Sequence, residues 1–207
     1  RQLIEPSRMK NVSILVPETA VIEAVADPHY MFKAVNQFLQ ASGKEPLFNV
    51  QLVALNKEVK LENSLFTVHI DKQLKDIKQT DLIFIPALSG DMTRALELNK
   101  ELVPWLLKQY DGGAELASLC IGAFLLASTG LLNGKKCSTH WNSYNAFRTM
   151  FPEVEIVDGS IITEENGIYS SGGANSYWTL LLYLVEKYTD RDTAILASKY
   201  FAVDIDR

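Results

Sequence analysis

The sequence predicts a doubly wound α/β domain, in which helices cover both faces of a mostly parallel β-sheet. Short apolar runs with β-branched residues alternate along the chain with longer segments of helical spacing. This alternation is typical of βαβ crossovers. The 207 residues are 47% hydrophobic and 22% charged, which suits one large globular domain. The sequence contains no internal repeat, low-complexity tract or Pro/Ser-rich linker, so a single domain is the economical interpretation.

The apolar runs predict the strands, because buried parallel strands read as short, nearly continuous hydrophobic segments. The first strand is closed by Pro17, and the alternating run 65–70 fits an edge strand or a hairpin. The expected strands are residues 12–16, 48–55, 65–70, 81–86, 114–119, 154–157, 161–163 and 168–170.

Apolar residues spaced three and four apart predict the helices. The first helix is expected to begin at Pro28 and to end before Gly43, and Asp91 is expected to cap a long second helix. The expected helices are residues 28–40, 91–109, 123–131, 143–150, 177–188 and 193–201.

Charge and cysteine content exclude several classes of protein. The chain has 20 Lys and Arg against 25 Asp and Glu, a net charge of −5, which disfavours nucleic-acid binding through its surface. Two cysteines, Cys120 and Cys137, are too few for a disulfide scaffold and fit a reducing cytoplasm. We expect no metal and no other cofactor, because no cluster has metal-ligand spacing. Residues 1–11 do not resemble a signal peptide, and residues 114–132 contain too much Ser, Thr and Gly for a membrane span.

The segment around Cys120 is the most informative part of the sequence. Ser118 and Gly122 flank Cys120 in the small-x-nucleophile-x-small pattern of a nucleophile elbow, between a predicted strand and a predicted helix. A sharp strand-to-helix turn crowds the backbone, so the flanking residues must be small. The turn also points the thiol at the helix N-terminus, where free N–H groups stabilise a thiolate. The alternative is that Cys120 is a small buried hydrophobic residue.

A thiol nucleophile needs a base, and the chain has only three histidines. His140 follows a turn and a short extended piece next to the elbow helix, so it is expected to approach Cys120. His29 and His69 are expected to be solvated or structural, and a structural role for His140 also remains open. The N–H of Ile121 would stabilise an oxyanion if the site were catalytic.

Three motifs together resemble a known family. They are ASLCIGAFLLA at residues 117–127, GLLNG at 130–134 and STHW at 138–141. They are similar to the ThiJ/PfpI branch of the class I glutamine amidotransferase-like superfamily. More narrowly, they resemble the N-terminal domain of AraC-type transcriptional regulators of the GlxA kind. The resemblance implies a flavodoxin-like three-layer sandwich, usually a homodimer, with Cys120 as the elbow cysteine and His140 as the histidine near it.

Two departures from the family pattern bear on catalysis. The acidic residue that hydrogen-bonds the elbow thiol in the catalytic branch falls on Ala24, with Glu23 beside it. Either Glu23 takes the acidic role through a local shift, or the acidic partner is missing. The family's Pro-Gly-Gly run, which helps to form an oxyanion hole, is Pro86-Ala87-Leu88 here, and its Cβ atoms narrow the space for a substrate oxygen. Both departures weaken the prediction of an enzyme and leave a pocket. The residues expected around that pocket are Glu23, Leu88, Cys120, Ile121, His140 and Trp141.

The resemblance implies a cytoplasmic, non-membrane domain that senses an unidentified small-molecule effector and dimerises within an AraC-type regulator. Residues 1–10 are expected to be disordered or non-native, and residues 11–207 to form the sensing domain. DNA would be bound only through a C-terminal helix-turn-helix domain that this sequence does not contain. Two alternatives remain open. One is a cysteine-dependent hydrolase, amidase or glyoxalase-like lyase that uses Cys120 and His140, and the other is a redox sensor in which Cys137 resolves oxidised Cys120.

Overall fold

The computed structural model describes residues 8–158, 162–173 and 177–205, and a seven-stranded sheet lies at its centre. The strands are β1 (Lys10–Leu15), β2 (Phe48–Ala54), β3 (Glu58–Leu61), β4 (Phe66–His69), β5 (Lys72–Gln73), β6 (Leu82–Ile85), β7 (Glu115–Ser118), β8 (Lys136–Cys137), β9 (Glu155–Ile156), β10 (Ile162–Glu165) and β11 (Ile168–Ser171). The helices are α1 (Ile22–Ala41), α2 (Met92–Leu98), α3 (Val103–Asp111), α4 (Ala123–Ser128), α5 (Tyr144–Met150), α6 (Tyr177–Tyr188) and α7 (Arg191–Phe201).

The sheet has the order β10-β11-β7-β6-β1-β2-β5, and only the β10–β11 pairing is antiparallel. The chain runs from β1 outward to β2 and then returns to place β6 on the other side of β1. Open α/β sheets bind ligands at such a reversal, in the crevice beyond the carboxyl ends of the strands. We therefore expect ligand-binding residues in the segments that follow β1, β6 and β7.

Helices cover both faces of the sheet. One hydrophobic core joins α1, α6 and α7 to the sheet face that carries Ile14, Phe84 and Tyr169. The other joins α2, α3, α4 and α5 to the opposite face, which carries Ile83 and Leu116. The alternation of side chains along each strand divides the apolar residues between the two cores. The predicted three-layer sandwich with a mostly parallel sheet is confirmed.

The first helix differs from the prediction at its start. α1 begins at Ile22, six residues before Pro28, so that Pro28 lies inside the helix rather than at its beginning. Proline has no N–H, so the carbonyl of Ala24, four residues earlier, lacks its helical hydrogen bond from that position. The extra turns place Glu23 and Asp27 on the helix, four residues apart and therefore on one face.

The long helix predicted over residues 91–109 is divided into α2 and α3 by a 3₁₀ turn, Lys100–Leu102. Pro104, the second residue of α3, explains the break, because proline has no N–H to donate to the carbonyl of Lys100 and its ring crowds that carbonyl. The side-chain amide of Asn99 donates to the carbonyls of Ala95 and Glu18 at 2.8 and 2.9 Å and fixes the end of α2. The cap at Asp91 is confirmed, since its carboxylate accepts the N–H of Arg94 at 3.1 Å.

The expected strands form within a few residues of their predicted bounds in the described residues, whereas the short strands β3, β5 and β8 were not predicted. The run 65–70 forms a hairpin, β3–β4, apart from the main sheet. The turn at Asn166 and Gly167 has positive φ at both residues, which is the backbone that an Asn-Gly hairpin turn favours. β1 starts at Lys10, one residue inside the segment expected to be non-native, while residues 1–7 lie outside the described residues. Within the described parts of the chain, no helix is both long and apolar enough to cross a bilayer.

Candidate functional site

Cys120 sits on a tight turn between β7 and α4. Its φ of 53° lies in the left-handed region, which residues other than glycine rarely adopt. A 3₁₀ turn, Cys120–Gly122, follows immediately and leads into the buried helix α4. This is the sharp strand-to-helix turn that the sequence pattern predicts.

Gly122 is required by a close backbone approach. A Cβ atom at this position would lie 2.4 Å from the carbonyl oxygen of Ile85 and 2.6 Å from that of Pro86. The elbow is therefore pressed against the end of β6. The backbone of Cys120 is held on both sides, because its N–H donates to Ser171 Oγ at 3.3 Å and its carbonyl accepts the Thr139 hydroxyl at 3.2 Å.

A cavity of about 490 Å³ opens beside the thiol. It lies beyond the carboxyl ends of β1, β6 and β7, where the strand order reverses. Its walls come from the first turns of α1, the segment after β6, the elbow and the start of α6. The lining residues are Val21, Glu23, Ala24, Asp27, Ala87, Cys120, Ile121, Tyr177 and Trp178.

The Cys120 thiol is nearly enclosed, with 7% of the residue exposed, and it packs against Ala24 and Ala87. Burial raises the pKa of the thiol, and a hydrogen bond from the N–H of Ile121 offsets this only in part. Ala24, which packs against the thiol, offers only a methyl group, and a methyl group cannot share a proton with the thiol. The thiol is therefore protonated at neutral pH and is a weak nucleophile.

Asp27 and Tyr177 form a hydrogen-bonded pair in the cavity wall, with the Tyr177 hydroxyl as the donor. Burial raises the pKa of the Asp27 carboxyl, the hydrogen bond from Tyr177 lowers it, and the nearby charge of Glu23 raises it again. Burial and the Asp27 carboxylate both raise the pKa of Tyr177. The phenol consequently stays protonated and continues to donate to the carboxylate.

A sequence profile of the DJ-1/PfpI family matches residues 26–187 of the chain. The chain belongs to the DJ-1/PfpI family. The HTH-type transcriptional regulator CdhR of Pseudomonas aeruginosa is 29% identical over 143 residues, which are 69% of this chain and 41% of CdhR. Isonitrile hydratase of Pseudomonas putida is 24% identical over 122 residues, which are 59% of this chain and 51% of the hydratase.

The DJ-1/PfpI fold is also evident from solved structures. The crystal structure of a protein described as a transcriptional regulator, from Vibrio parahaemolyticus, superposes with a TM-score of 0.82. It is 20% identical, and the match covers 93% of this chain and 99% of that one. At 20% identity, this structural similarity establishes the fold of the chain. The chain spans less than half the length of CdhR, so it corresponds to a part of that regulator.

Three of the six residues expected around the pocket of this DJ-1/PfpI domain line the cavity: Glu23, Cys120 and Ile121. Leu88 does not, because it is fully buried in the core between the sheet and helices α2–α5. Extended backbone points successive side chains to opposite sides, so Ala87 faces the cavity in place of Leu88.

His140 and Trp141 also differ from the expectation, since neither is among the residues that line the cavity. Nδ1 of His140 accepts the N–H of Asn142 at 3.2 Å and caps the 3₁₀ turn that follows, so the ring is used in its own turn. Its far edge lies next to Gly173, at the end of β11. Trp141 is 70% exposed and stacks on His140. The exposed position follows from the cap, which turns the next residue outward.

Sequence reasoning missed Asp27, Tyr177 and Trp178. Asp27 lies three residues after Ala24 and four after Glu23, a spacing that puts the three residues on one face of a helix. The predicted helix start at Pro28 excluded all three residues from the helix, so this signal was missed. Tyr177 and Trp178 lie at the start of α6, and nothing local in the sequence connects them to a cysteine more than fifty residues earlier. Within the described residues, no group of three or more His, Cys, Asp and Glu could hold a metal ion.

Proposed function

We propose that this chain is the small-molecule-sensing and dimerisation domain of an AraC-type transcriptional regulator. The name and similarity of CdhR, together with the resemblance of the sequence motifs, support the regulator. DNA recognition would come from a part of the protein beyond these 207 residues, in agreement with their net charge of −5. A regulator that meets bacterial DNA would act in the cytoplasm.

The observation that carries the proposal is the chemistry of the cavity beside Cys120. Two carboxylates, Glu23 and Asp27, face it, and none of the described residues that line it is Lys, Arg or His. The cavity therefore offers hydrogen-bond acceptors and negative charge to a ligand, and little that would attract an anion.

Aromatic and aliphatic side chains form the rest of the wall. Tyr177 and Trp178 stack with their ring centroids 6.2 Å apart, and Val21 and Ile121 complete the apolar surface. Aromatic faces attract cations, and the attraction strengthens where water is excluded. We infer that the effector is a small organic cation with a short apolar part, such as an amine.

A thermal-shift titration of this chain tests the inferred ligand class. The probes are short-chain alkylammonium ions, with the primary alcohols and carboxylates of the same chain length as matched compounds. A ligand that binds only the folded state raises the melting temperature in a concentration-dependent way. The proposal predicts stabilisation by the ammonium ions, and stabilisation by carboxylates in their place would contradict it.

Asp27→Asn removes the half-buried carboxylate, and Glu45→Gln removes the same charge from an exposed loop that does not line the cavity. Loss of a charge-assisted hydrogen bond should weaken cation binding by about tenfold or more in Asp27→Asn. Glu45→Gln should bind as the wild type does. Equal weakening of binding in both variants would show that the net charge of the protein, and not the carboxylate in the cavity, attracts the cation.

A cysteine-dependent hydrolase or lyase is the second candidate. It is favoured by the elbow geometry of Cys120, by the Ile121 N–H on the thiol and by the similarity to isonitrile hydratase. The raised pKa of the thiol and the position of His140 outside the cavity lining disfavour it. Turnover of small amides, isonitriles or 2-oxoaldehydes that disappears in Cys120→Ala would establish the enzyme instead of the sensor.

Dimerisation is part of the proposal on the strength of the family resemblance. Light scattering on the purified chain gives its mass in solution. A mass of twice 23.2 kDa would support the dimer. A monomeric mass over a wide range of protein concentration would contradict the proposed dimerisation.

A further inference from the structure

The cavity shares two of its walls with the end of α7. Trp178, which lines the cavity, also contacts Phe201, with ring centroids 5.5 Å apart. On α1, Tyr30 lies three residues after Asp27 and meets Phe201 edge to face at 5.0 Å. One aromatic ring at the last residue of α7 therefore touches both helices that enclose the ligand space.

Further aromatic contacts hold the end of α7. Tyr200 packs against Phe38 at 5.3 Å, and its hydroxyl lies 3.2 Å from that of Tyr30. The helix stops at Ala202, whose φ of 54° is left-handed and costs a non-glycine residue about 1 kcal/mol or more. A helix end that includes an unfavourable backbone conformation is easier to loosen than the centre of the helix.

We infer that residues 198–205, the last turn of α7 and the segment after it, become better ordered when the Cys120 cavity is filled, and that Trp178 and Phe201 transmit the change. The inference rests on the cavity being the ligand site of the proposed function. It does not depend on which effector enters, because any molecule that packs against Trp178 would act in the same way.

The physical basis is packing on two sides of one ring. Trp178 is half-buried and its ring contacts Tyr177 and Phe201, while the part that lines the cavity has no side chain of the described residues packed on it. A filled cavity supplies the missing van der Waals contacts and fixes the ring, which in turn fixes Phe201. Ordering of this kind couples two sites with little change in the average structure. The coupling is reciprocal, so loosening α7 must also affect the cavity.

The first test uses iodoacetamide, which enters the cavity to alkylate Cys120, to measure how the end of α7 controls access to the cavity. Phe201→Ala removes the ring that supports Trp178, and Leu196→Ala truncates an exposed residue of the same helix as the matched control. Tyr200→Phe is a gentler variant that removes only the hydroxyl contact with Tyr30. Peptide mapping by mass spectrometry separates Cys120 from Cys137. Without Phe201 the Trp178 ring loses a neighbour and moves aside more readily, so reagent reaches the thiol more easily. We expect alkylation of Cys120 about fivefold faster in Phe201→Ala and unchanged in Leu196→Ala. Wild-type rates in Phe201→Ala and Tyr200→Phe would overturn the inference.

The second test needs no substitution and therefore holds even if Phe201→Ala fails to fold. Wild-type chain is carbamidomethylated at Cys120, so that the cavity holds a tethered amide, and amide hydrogen exchange is compared with that of the unlabelled chain. We expect exchange in residues 198–205 to slow by about fivefold or more, with no change in α5 on the other face of the sheet. Unchanged exchange in 198–205, or equal changes in α5, would overturn the inference. No effector is used, so failure of the ammonium panel leaves this result standing, and the reverse also holds.

Discussion

The Tyr177 hydroxyl donates to the Asp27 carboxylate, and this hydrogen bond joins α6 to α1 across the Cys120 cavity. The two residues are 150 positions apart in the sequence. Each wall of the cavity thus fixes the other, and the carboxylate is held toward the ligand space with one of its oxygens already occupied. The remaining acceptor sites are available to a ligand donor, which makes the pair the centre of the proposed recognition.

The pH dependence of stability reports on Asp27. Burial raises the pKa of its carboxyl above the ordinary value of 3.8, so the folded state binds this proton more tightly than the unfolded state. The corresponding stability is present below pH 3.8 and is lost as the pH rises through the pKa of the folded state. Asp27→Asn should lack this loss, so its stability relative to the wild type should increase from acid toward neutral pH in urea titrations.

Tyr177→Phe is the matched variant for the same titration. It removes the hydrogen bond that lowers the pKa of Asp27, so the decline in stability should extend to higher pH than in the wild type. Parallel pH profiles for the wild type, Asp27→Asn and Tyr177→Phe would show that Asp27 titrates normally, against this account.

Alkylation of Cys120 as a function of pH tests whether the thiol is neutral. Burial raises its pKa, so the rate of reaction with iodoacetamide should still be increasing at pH 9, where an ordinary exposed thiol has largely ionised. Cys137 provides an internal comparison, because burial raises its pKa to about 12 and it should react only on unfolding. A rate for Cys120 that reaches its plateau below pH 8 would identify a thiolate and favour the enzyme.

The left-handed backbone at Cys120 predicts an unusual order of stability between two variants. Cys120→Gly should be more stable than Cys120→Ala by about 1 kcal/mol, because glycine adopts a φ of 53° without steric cost. Cys137, in strand β8 with no positive φ, is the control position. There the order should reverse, since glycine in a strand loses more conformational entropy than alanine. Chemical denaturation of the four variants gives the comparison, and the same order at both positions would argue against strain at the elbow.

Gly122→Ala should be strongly destabilising. Its Cβ would lie 2.4 and 2.6 Å from two backbone carbonyl oxygens, and backbone cannot move aside as a flexible side chain can, so we expect a loss of about 3 kcal/mol. Gly112→Ala is the control, because its Cβ would be 3.4 Å or more from its neighbours and its φ of −77° suits any residue. A small effect, about 0.5 kcal/mol or less, is expected there. Equal stability of the two variants in urea unfolding would contradict the close approach of β6 to the elbow.

Most of the fold was predictable because the hydrophobic pattern is locally consistent with it. The apolar runs before Pro17, Pro86 and Cys120 became β1, β6 and β7, and the cap at Asp91 formed as its residue type predicts. The errors in the helices lie at two prolines. A helix break precedes Pro104, whereas α1 continues through Pro28, and apolar spacing alone does not distinguish the two cases.

The site was predictable only in part, for a different reason. Gly122 and Cys120 carry a short-range signature because one turn imposes their residue types. The other cavity residues meet through the topology of the sheet, which brings α1 and α6 together, and no local pattern encodes that meeting. Leu88, His140 and Trp141 were predicted to line the pocket because they lie next to recognisable motifs. Alternation along the chain turns the Leu88 side chain into the core, His140 caps its own turn, and Trp141 is exposed.

Calorimetric titration of the tightest-binding ammonium ion, before and after carbamidomethylation of Cys120, is the most direct test of sensing at this cavity. We predict one binding site per chain and loss of binding after Cys120 is labelled. We also predict that the ligand is recovered chemically unchanged from its mixture with the wild type. Undiminished binding to the labelled chain would place the ligand elsewhere. Conversion of the ligand to a product by the wild type, but not by Cys120→Ala, would make the cavity an active site.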